Sequence, residues 1–75
     1  MIVNFNMEPF EINLVGENLT VTPIENGSYV ITKAGREVTV LVPEITDGAL
    51  TIWKSKDMSI DQAMQIGELI EEHYL

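Results

Sequence analysis

With 75 residues, the chain is long enough for one small domain, and we treat residues 1–75 as that single domain. Its formal net charge of −8, with only four basic residues, argues against nucleic acid and against an anionic membrane surface as partners. The absence of cysteine, and of any apolar run near the ~18 residues of a membrane helix, predicts a cytoplasmic protein without disulfide bonds.

The first part of the chain alternates between apolar and polar side chains, which is the pattern of β-strands. The first clear strand is FEINL, in which Phe10 and Ile12 share one face. Residues 1–7 alternate with the opposite parity, and Pro9 marks the break between the two patterns. We therefore expect a bulge, a bend or a separate short strand before FEINL.

The segment ENG separates two further predicted strands, LTVTPI and YVITK. A loop of these three residues, with Gly27 in the left-handed region, would form a type I turn followed by a bulge. This register pairs Val21 with Ile31, so that apolar side chains face each other across the two strands.

A turn centred on the dipeptide AG leads into the fourth predicted strand, EVTVLVP. The connection places Ile31 opposite Val38 and Tyr29 opposite Val40. One face of the sheet is then apolar and the other mostly polar, as expected of an antiparallel sheet that is covered on one side.

The fifth predicted strand, ALTIWK, follows a turn at Asp47 and Gly48. The pattern does not determine which face of this strand points inward, because Ile52 and Trp53 point to opposite sides and either of them could be buried. Trp53 is a core anchor in one interpretation, and in the other it lies exposed near Leu41.

The C-terminal segment changes to the period of about 3.6 residues that is typical of an α-helix, which we predict over residues 60–74. Ser59 followed by Gln62 matches a capping box at its start. A glycine in the apolar face predicts close packing against the sheet. The apolar face is predicted to contain Ile60, Ala63, Met64, Ile66, Gly67, Ile70 and Tyr74.

Together these patterns predict an α+β fold. We expect an antiparallel β-meander of four to five strands within residues 1–54, with one C-terminal α-helix packed across one face. The strand EVTVLVP should be central, and a free edge of the sheet makes a homodimer an alternative state of assembly.

Acidic residues dominate the predicted outer face of the helix, which carries no lysine or arginine. Leu69 lies among them, although it is apolar. Glu71 and Glu72 lie at the negative end of the helix dipole, so we expect that neutralising them leaves stability equal or slightly raised. The candidate interaction surface comprises Leu41, Trp53, Glu68, Leu69 and Glu72.

Residue types that carry catalysis are scarce. The single histidine, His73, has no carboxylate at the spacing of a Glu-x-x-His metal motif, and the five glycines form no phosphate-binding loop. We therefore expect no enzyme activity, no cofactor and no metal.

The function that these patterns favour is a small non-catalytic intracellular protein-interaction module. One alternative is an acidic inhibitor or immunity-type protein that neutralises a basic partner. Another is a domain that binds a small apolar ligand between helix and sheet, lined by Met58, Met64 and the region of Met7. A cavity above about 300 Å³ would favour the ligand, and a filled core with an exposed apolar patch would favour the interaction module.

Overall fold

The structure is a computed structural model that describes residues 8–46, 48 and 50–74. Within these residues the chain forms five β-strands and one α-helix. They are β1 (Phe10–Leu14), β2 (Glu17–Pro23), β3 (Tyr29–Lys33), β4 (Arg36–Ile45), β5 (Thr51–Lys54) and α1 (Ile60–His73). The predicted pattern of residues 1–7 and the turn position at Asp47 lie outside the described residues.

The strands form one antiparallel meander in the order β1-β2-β3-β4-β5. β4 lies inside the sheet, as predicted, because it pairs with both β3 and β5. The sheet curls, so that α1 contacts β1 at one edge as well as β5 at the other. The predicted α+β meander with a C-terminal helix packed on the sheet is confirmed.

Two of the hairpins turn through dipeptides whose residues both have positive φ, as a type I′ turn requires. Val15 and Gly16 connect β1 to β2 with φ angles of 50° and 84°. Ala34 and Gly35 connect β3 to β4 with φ angles of 52° and 81°, which confirms the predicted turn at AG.

The loop between β2 and β3 also has the predicted form. The Gly27 N–H donates to the Ile24 carbonyl over 3.0 Å, and Gly27 has a φ of 86°. The resulting register pairs Val21 with Ile31, as the apolar pattern predicts.

The register between β3 and β4 differs from the prediction. Thr32 pairs with Glu37, but Ile31 then pairs with Thr39 instead of Val38, and a bulge separates the two parts of the ladder. As a result Val38 is left out of the regular pairing and is 41% exposed, whereas Thr39 is buried. The Thr39 hydroxyl is satisfied there by the Ser55 hydroxyl, which explains how a polar side chain is accommodated in the core.

The core lies between the inner face of the sheet and α1. Trp53 is 3% exposed and points inward, which settles the open question of β5. Gly67 packs directly on the Trp53 ring, since a Cβ added at Gly67 would meet the indole well inside 3.0 Å. The buried apolar side chains are Ile12, Leu19, Val21, Ile31, Leu41, Trp53, Ala63, Ile66 and Ile70.

The helix begins as predicted, with the Gln62 N–H donating to the Ser59 hydroxyl over 3.2 Å. Its predicted apolar face is too wide at both ends, because Ile60 is 61% exposed and Tyr74 is half exposed. Ile60 is the first residue of α1 and Tyr74 follows its last residue, so both lie at the ends of the packed face. No helix among the described residues has the length and apolar character needed to cross a membrane.

Candidate functional site

The outward face of α1 carries a row of polar side chains that we call the acidic stripe. All of its side chains are exposed, and their spacing of four, three and four residues places them along one line of the helix. The acidic stripe consists of Asp61, Gln65, Glu68 and Glu72.

The lysine and arginine residues of the described chain lie outside α1. The Lys33 ammonium contacts the Glu17 carboxylate at 2.6 Å, and the Lys54 ammonium contacts the Glu44 carboxylate at 3.1 Å. Both ion pairs belong to the sheet, and no ion pair between described residues involves the acidic stripe. The negative charge of this surface is therefore uncompensated by the fold.

Glu71 is a neighbour of the acidic stripe in sequence but has a different role. The Trp53 Nε1–H donates to the Glu71 carboxylate over 2.7 Å. The indole N–H is thus satisfied although its ring is buried. The expectation that Glu71 is only an unfavourable charge at the helix end is therefore corrected, because the carboxylate holds the buried tryptophan.

The residues of the predicted interaction surface fall into three classes of exposure. Leu41 and Trp53 lie in the core, because the bulge in β4 turns Leu41 inward and β5 presents Trp53 to the helix. Leu69 is half buried and packs against the core cluster. Glu68 and Glu72 are exposed and belong to the acidic stripe.

A groove of about 580 Å³ runs beside α1, where the two dipeptide hairpins end. We call it the hairpin groove. Its apolar lining combines side chains of the β1–β2 hairpin, β4, the connection between β5 and α1, and the helix. These are Leu14, Val15, Leu19, Val38, Met58 and Ile66.

Two side chains of the hairpin groove are unusually exposed for their type. Val15 is 91% exposed at the tip of the β1–β2 hairpin, and Val38 is 41% exposed at the bulge of β4. Sequence reasoning missed both of them. The only available signal for Val15 was a β-branched residue before Gly16, where Asn or Asp is usual in a type I′ turn.

The described residues that were expected to line a ligand cavity between helix and sheet have separate surroundings. Met58 lines the hairpin groove, but the Met64 sulfur accepts a hydrogen bond from the Trp53 backbone N–H over 3.3 Å. The region of Met7 lies outside the described residues. Trp53 fills the space between helix and sheet beside Gly67.

The outer face of the sheet carries a second groove, of about 770 Å³. Val40 and Val42 form its floor, and both signs of charge surround them, from Lys54 and Lys56 and from Asp57. Because the charges are mixed, this groove has no clear preference for a partner of one sign.

The end of the helix holds a small aromatic cluster. The rings of Phe10 and His73 stack with their centroids 3.6 Å apart, and Tyr74 meets Phe10 edge-on at 5.4 Å. Desolvation raises the pKa of Tyr74 above its ordinary value of 10.0, and the proximity of Tyr29 raises it further. No group of three or more histidine, aspartate or glutamate side chains in the described part of the chain could hold a metal ion.

No protein-family model, curated protein or solved structure matches this chain. The geometry of its own residues must therefore support any functional proposal.

Proposed function

We propose that the chain is a small non-catalytic protein-interaction module whose helix presents the acidic stripe to a basic protein partner. The observation that carries the proposal is the exposed row of Asp61, Glu68 and Glu72 on α1, beside which no described basic residue forms an ion pair. Like charges along one helix face cost stability when they stay unpaired. A basic partner would remove that cost on binding.

Electrostatics favour this mode of association. A net charge of −8 on a domain of 75 residues gives a strong field, and the acidic stripe concentrates part of it on one rigid element. Complementary charge accelerates encounter and selects against acidic partners. An inhibitor or immunity-type protein that neutralises a basic enzyme would work through the same surface. The absence of cysteine supports the cytoplasm as the place of action.

Fluorescence anisotropy with a basic probe tests the proposal. The probe is a labelled amphipathic peptide of roughly four helical turns, with lysine along one face and leucine along the other. The triple variant Asp61→Asn, Glu68→Gln, Glu72→Gln should bind it about tenfold more weakly, because three exposed charge contacts of about 0.5 kcal/mol each are removed.

A matched control removes the same number of charges elsewhere. Glu8, Glu11 and Glu25 are exposed and lie outside the helix, so changing all three to glutamine removes the same number of negative charges from the chain. The control should bind nearly as well as the unmodified chain. Equal losses in both triple variants would show a response to net charge alone and would contradict the proposal.

A further inference from the structure

We infer that the hairpin groove and the acidic stripe form one continuous surface that binds a basic amphipathic segment of a partner protein, with apolar side chains of that segment seated against Val15 and Val38. The inference rests on the proposed function and adds to it the chemistry of the segment that is recognised. Four features of the structure support it: the backbone at Val15, the bulge at Val38, the continuity of the two surfaces and the net charge.

Val15 occupies a position that is unfavourable for a valine in two respects. Its φ of 50° lies in the left-handed region, where a β-branched side chain is a genuine outlier. Its side chain is 91% exposed, so burial within the fold does not offset that strain. Asparagine would suit both the backbone and the solvent better. Strain that the fold does not require points to a role for the side chain in function.

Val38 lines the same groove because of the bulge between β3 and β4. The bulge between β3 and β4 leaves Val38 out of the regular pairing and 41% exposed, while the neighbouring Thr39 is buried. Bulges commonly redirect a side chain near functional sites. The left-handed backbone at Val15 and the bulge at Val38 are independent irregularities, and each of them places an apolar side chain in the same groove.

The groove continues directly into the acidic stripe. Gln65 lines the groove and also belongs to the stripe, so an occupant of the groove lies beside Asp61 and Glu68. Among the described residues of the lining, Lys33 is the one basic side chain, and its charge is already paired with Glu17 at 2.6 Å. The surface thus combines an apolar groove with a negative flank, which matches a segment with apolar and basic faces.

The net charge also favours a basic segment over a second copy of the chain as the occupant of the groove. Two copies, each with a net charge of −8, repel each other, whereas a basic segment is attracted. The hairpin groove lies at the surface beside α1, and the enclosed core is filled by Trp53, so an extended or helical segment suits it better than a small buried molecule.

Three peptides and two variants test the inference by fluorescence anisotropy. The peptides are the lysine–leucine amphipathic probe, a scrambled peptide of the same composition without an apolar face, and the amphipathic peptide with glutamate in place of lysine. The variants are Val15→Asn and, as a matched control, Ile45→Asn, whose exposed apolar side chain lies outside the groove.

The amphipathic basic peptide should bind at least about tenfold more tightly than the scrambled one, which corresponds to about 1.4 kcal/mol. Val15→Asn should weaken its binding at least about fivefold and should raise the Tm, while Ile45→Asn leaves the affinity unchanged. The glutamate peptide should not bind. A loss of affinity that accompanies a gain in stability cannot come from damage to the fold.

Each failure has a distinct meaning. Equal affinity for the amphipathic and scrambled basic peptides, or unchanged binding by Val15→Asn, would overturn the role of the groove while leaving the acidic stripe as a binding surface. Binding of neither basic peptide at low salt would overturn the proposed function itself. Sedimentation that shows a dimer abolished by Val15→Asn would assign the groove to a second copy. Tight, salt-independent binding of an anilinonaphthalene sulfonate dye, lost in the same variant, would assign it to a small apolar ligand.

Discussion

The two flanks of α1 differ in how closely they are packed. On the flank toward β5, Gly67 lies against the Trp53 ring, and Glu71 accepts the indole hydrogen bond. On the flank toward the hairpin turns, Val15 and Val38 remain exposed beside an open groove. The first flank has close contact and satisfied polar groups, whereas the second has a strained turn and a bulge.

The β5 flank of the helix thus stabilises the fold, and the hairpin flank is the one that we assign to recognition. Close packing and paired polar atoms are what a small domain needs in order to be stable. The Val15 side chain has a left-handed backbone and is 91% exposed, so its burial does not offset the strain. We expect substitutions on the β5 flank to lower the free energy of unfolding, and substitution of the exposed groove residue Val15 to leave it unchanged or to raise it.

The largest effect is expected where α1 meets the core. Ile70 is buried, so Ile70→Ala should lower the free energy of unfolding by about 2–5 kcal/mol through lost burial and a residual cavity. Urea denaturation measures the loss. The matched control is Ile60→Ala in the first turn, where the side chain is 61% exposed and the change should be within about 0.5 kcal/mol. Similar losses for both would contradict the helix orientation.

A methyl group added at Gly67 tests the close contact on the β5 flank. Alanine normally favours a helix over glycine by about 1 kcal/mol. Here the new Cβ would collide with the Trp53 ring, so Gly67→Ala should instead destabilise the protein by about 1–3 kcal/mol. Gly48→Ala is the control, because nothing lies within 4 Å of a Cβ at that position. A more stable Gly67→Ala variant would show that the contact is looser than described.

Removal of the indole acceptor should have a smaller effect on the same flank. Glu71→Ala leaves the buried Trp53 N–H without its partner and should cost about 1–2 kcal/mol. Glu72→Ala, one residue later on the acidic stripe, should be neutral or slightly stabilising because it removes a negative charge from the helix end. Chemical denaturation, together with the emission maximum of the single tryptophan, distinguishes the two variants. Equal behaviour would show that the hydrogen bond is not maintained in solution.

Substitution of Val15 in the hairpin groove should raise the free energy of unfolding, whereas the substitutions on the β5 flank lower it. Val15→Asn relieves the left-handed backbone at the β1–β2 turn and should stabilise the protein by about 1 kcal/mol, which raises the Tm by about 4–8 °C. Val42→Asn, at an exposed position within regular β4, should instead be neutral or destabilising, since asparagine suits a strand poorly. A destabilised Val15→Asn variant would show that Val15 supports the fold.

The smallest expected effect concerns alkaline pH. Desolvation raises the pKa of Tyr74, so the folded state holds the phenol proton more tightly than the unfolded state does. The contribution of the protonated Tyr74 phenol to the free energy of unfolding is complete below pH 10.0. It is lost as the pH rises through the raised pKa. The Tm of the unmodified chain should therefore fall slightly more steeply above that pH than the Tm of Tyr74→Phe. Identical profiles would mean that Tyr74 does not contribute.

Local patterns in the sequence were sufficient to predict most of the fold. The alternation around Ile12, the turn at Gly27 and the cap at Ser59 each specify their own element through contacts between near neighbours. The position of β4 was also predicted, but its inward face beyond the bulge was not. Thr39 is stabilised there by the Ser55 hydroxyl, which is distant in sequence.

The site was harder to predict for the same reason. The pairing of Trp53 with Glu71 joins a strand to a helix across a separation of 18 residues, and no local pattern encodes it. The acidic character of Glu68 and Glu72 was visible because helical spacing alone places them on one face. Val15 was missed because its significance lies in the combination of backbone strain and exposure, which only the structure reveals.

The most direct test of the central claim, that the hairpin flank of α1 is built for recognition, is a titration of methyl-labelled protein with the lysine–leucine peptide, followed by NMR. We expect the methyl resonances of Val15 and Val38 to shift in a saturable manner, while that of the exposed Ile45 stays fixed. Shifts spread evenly over all exposed methyl groups, or absent from Val15 and Val38 at saturation, would contradict the account.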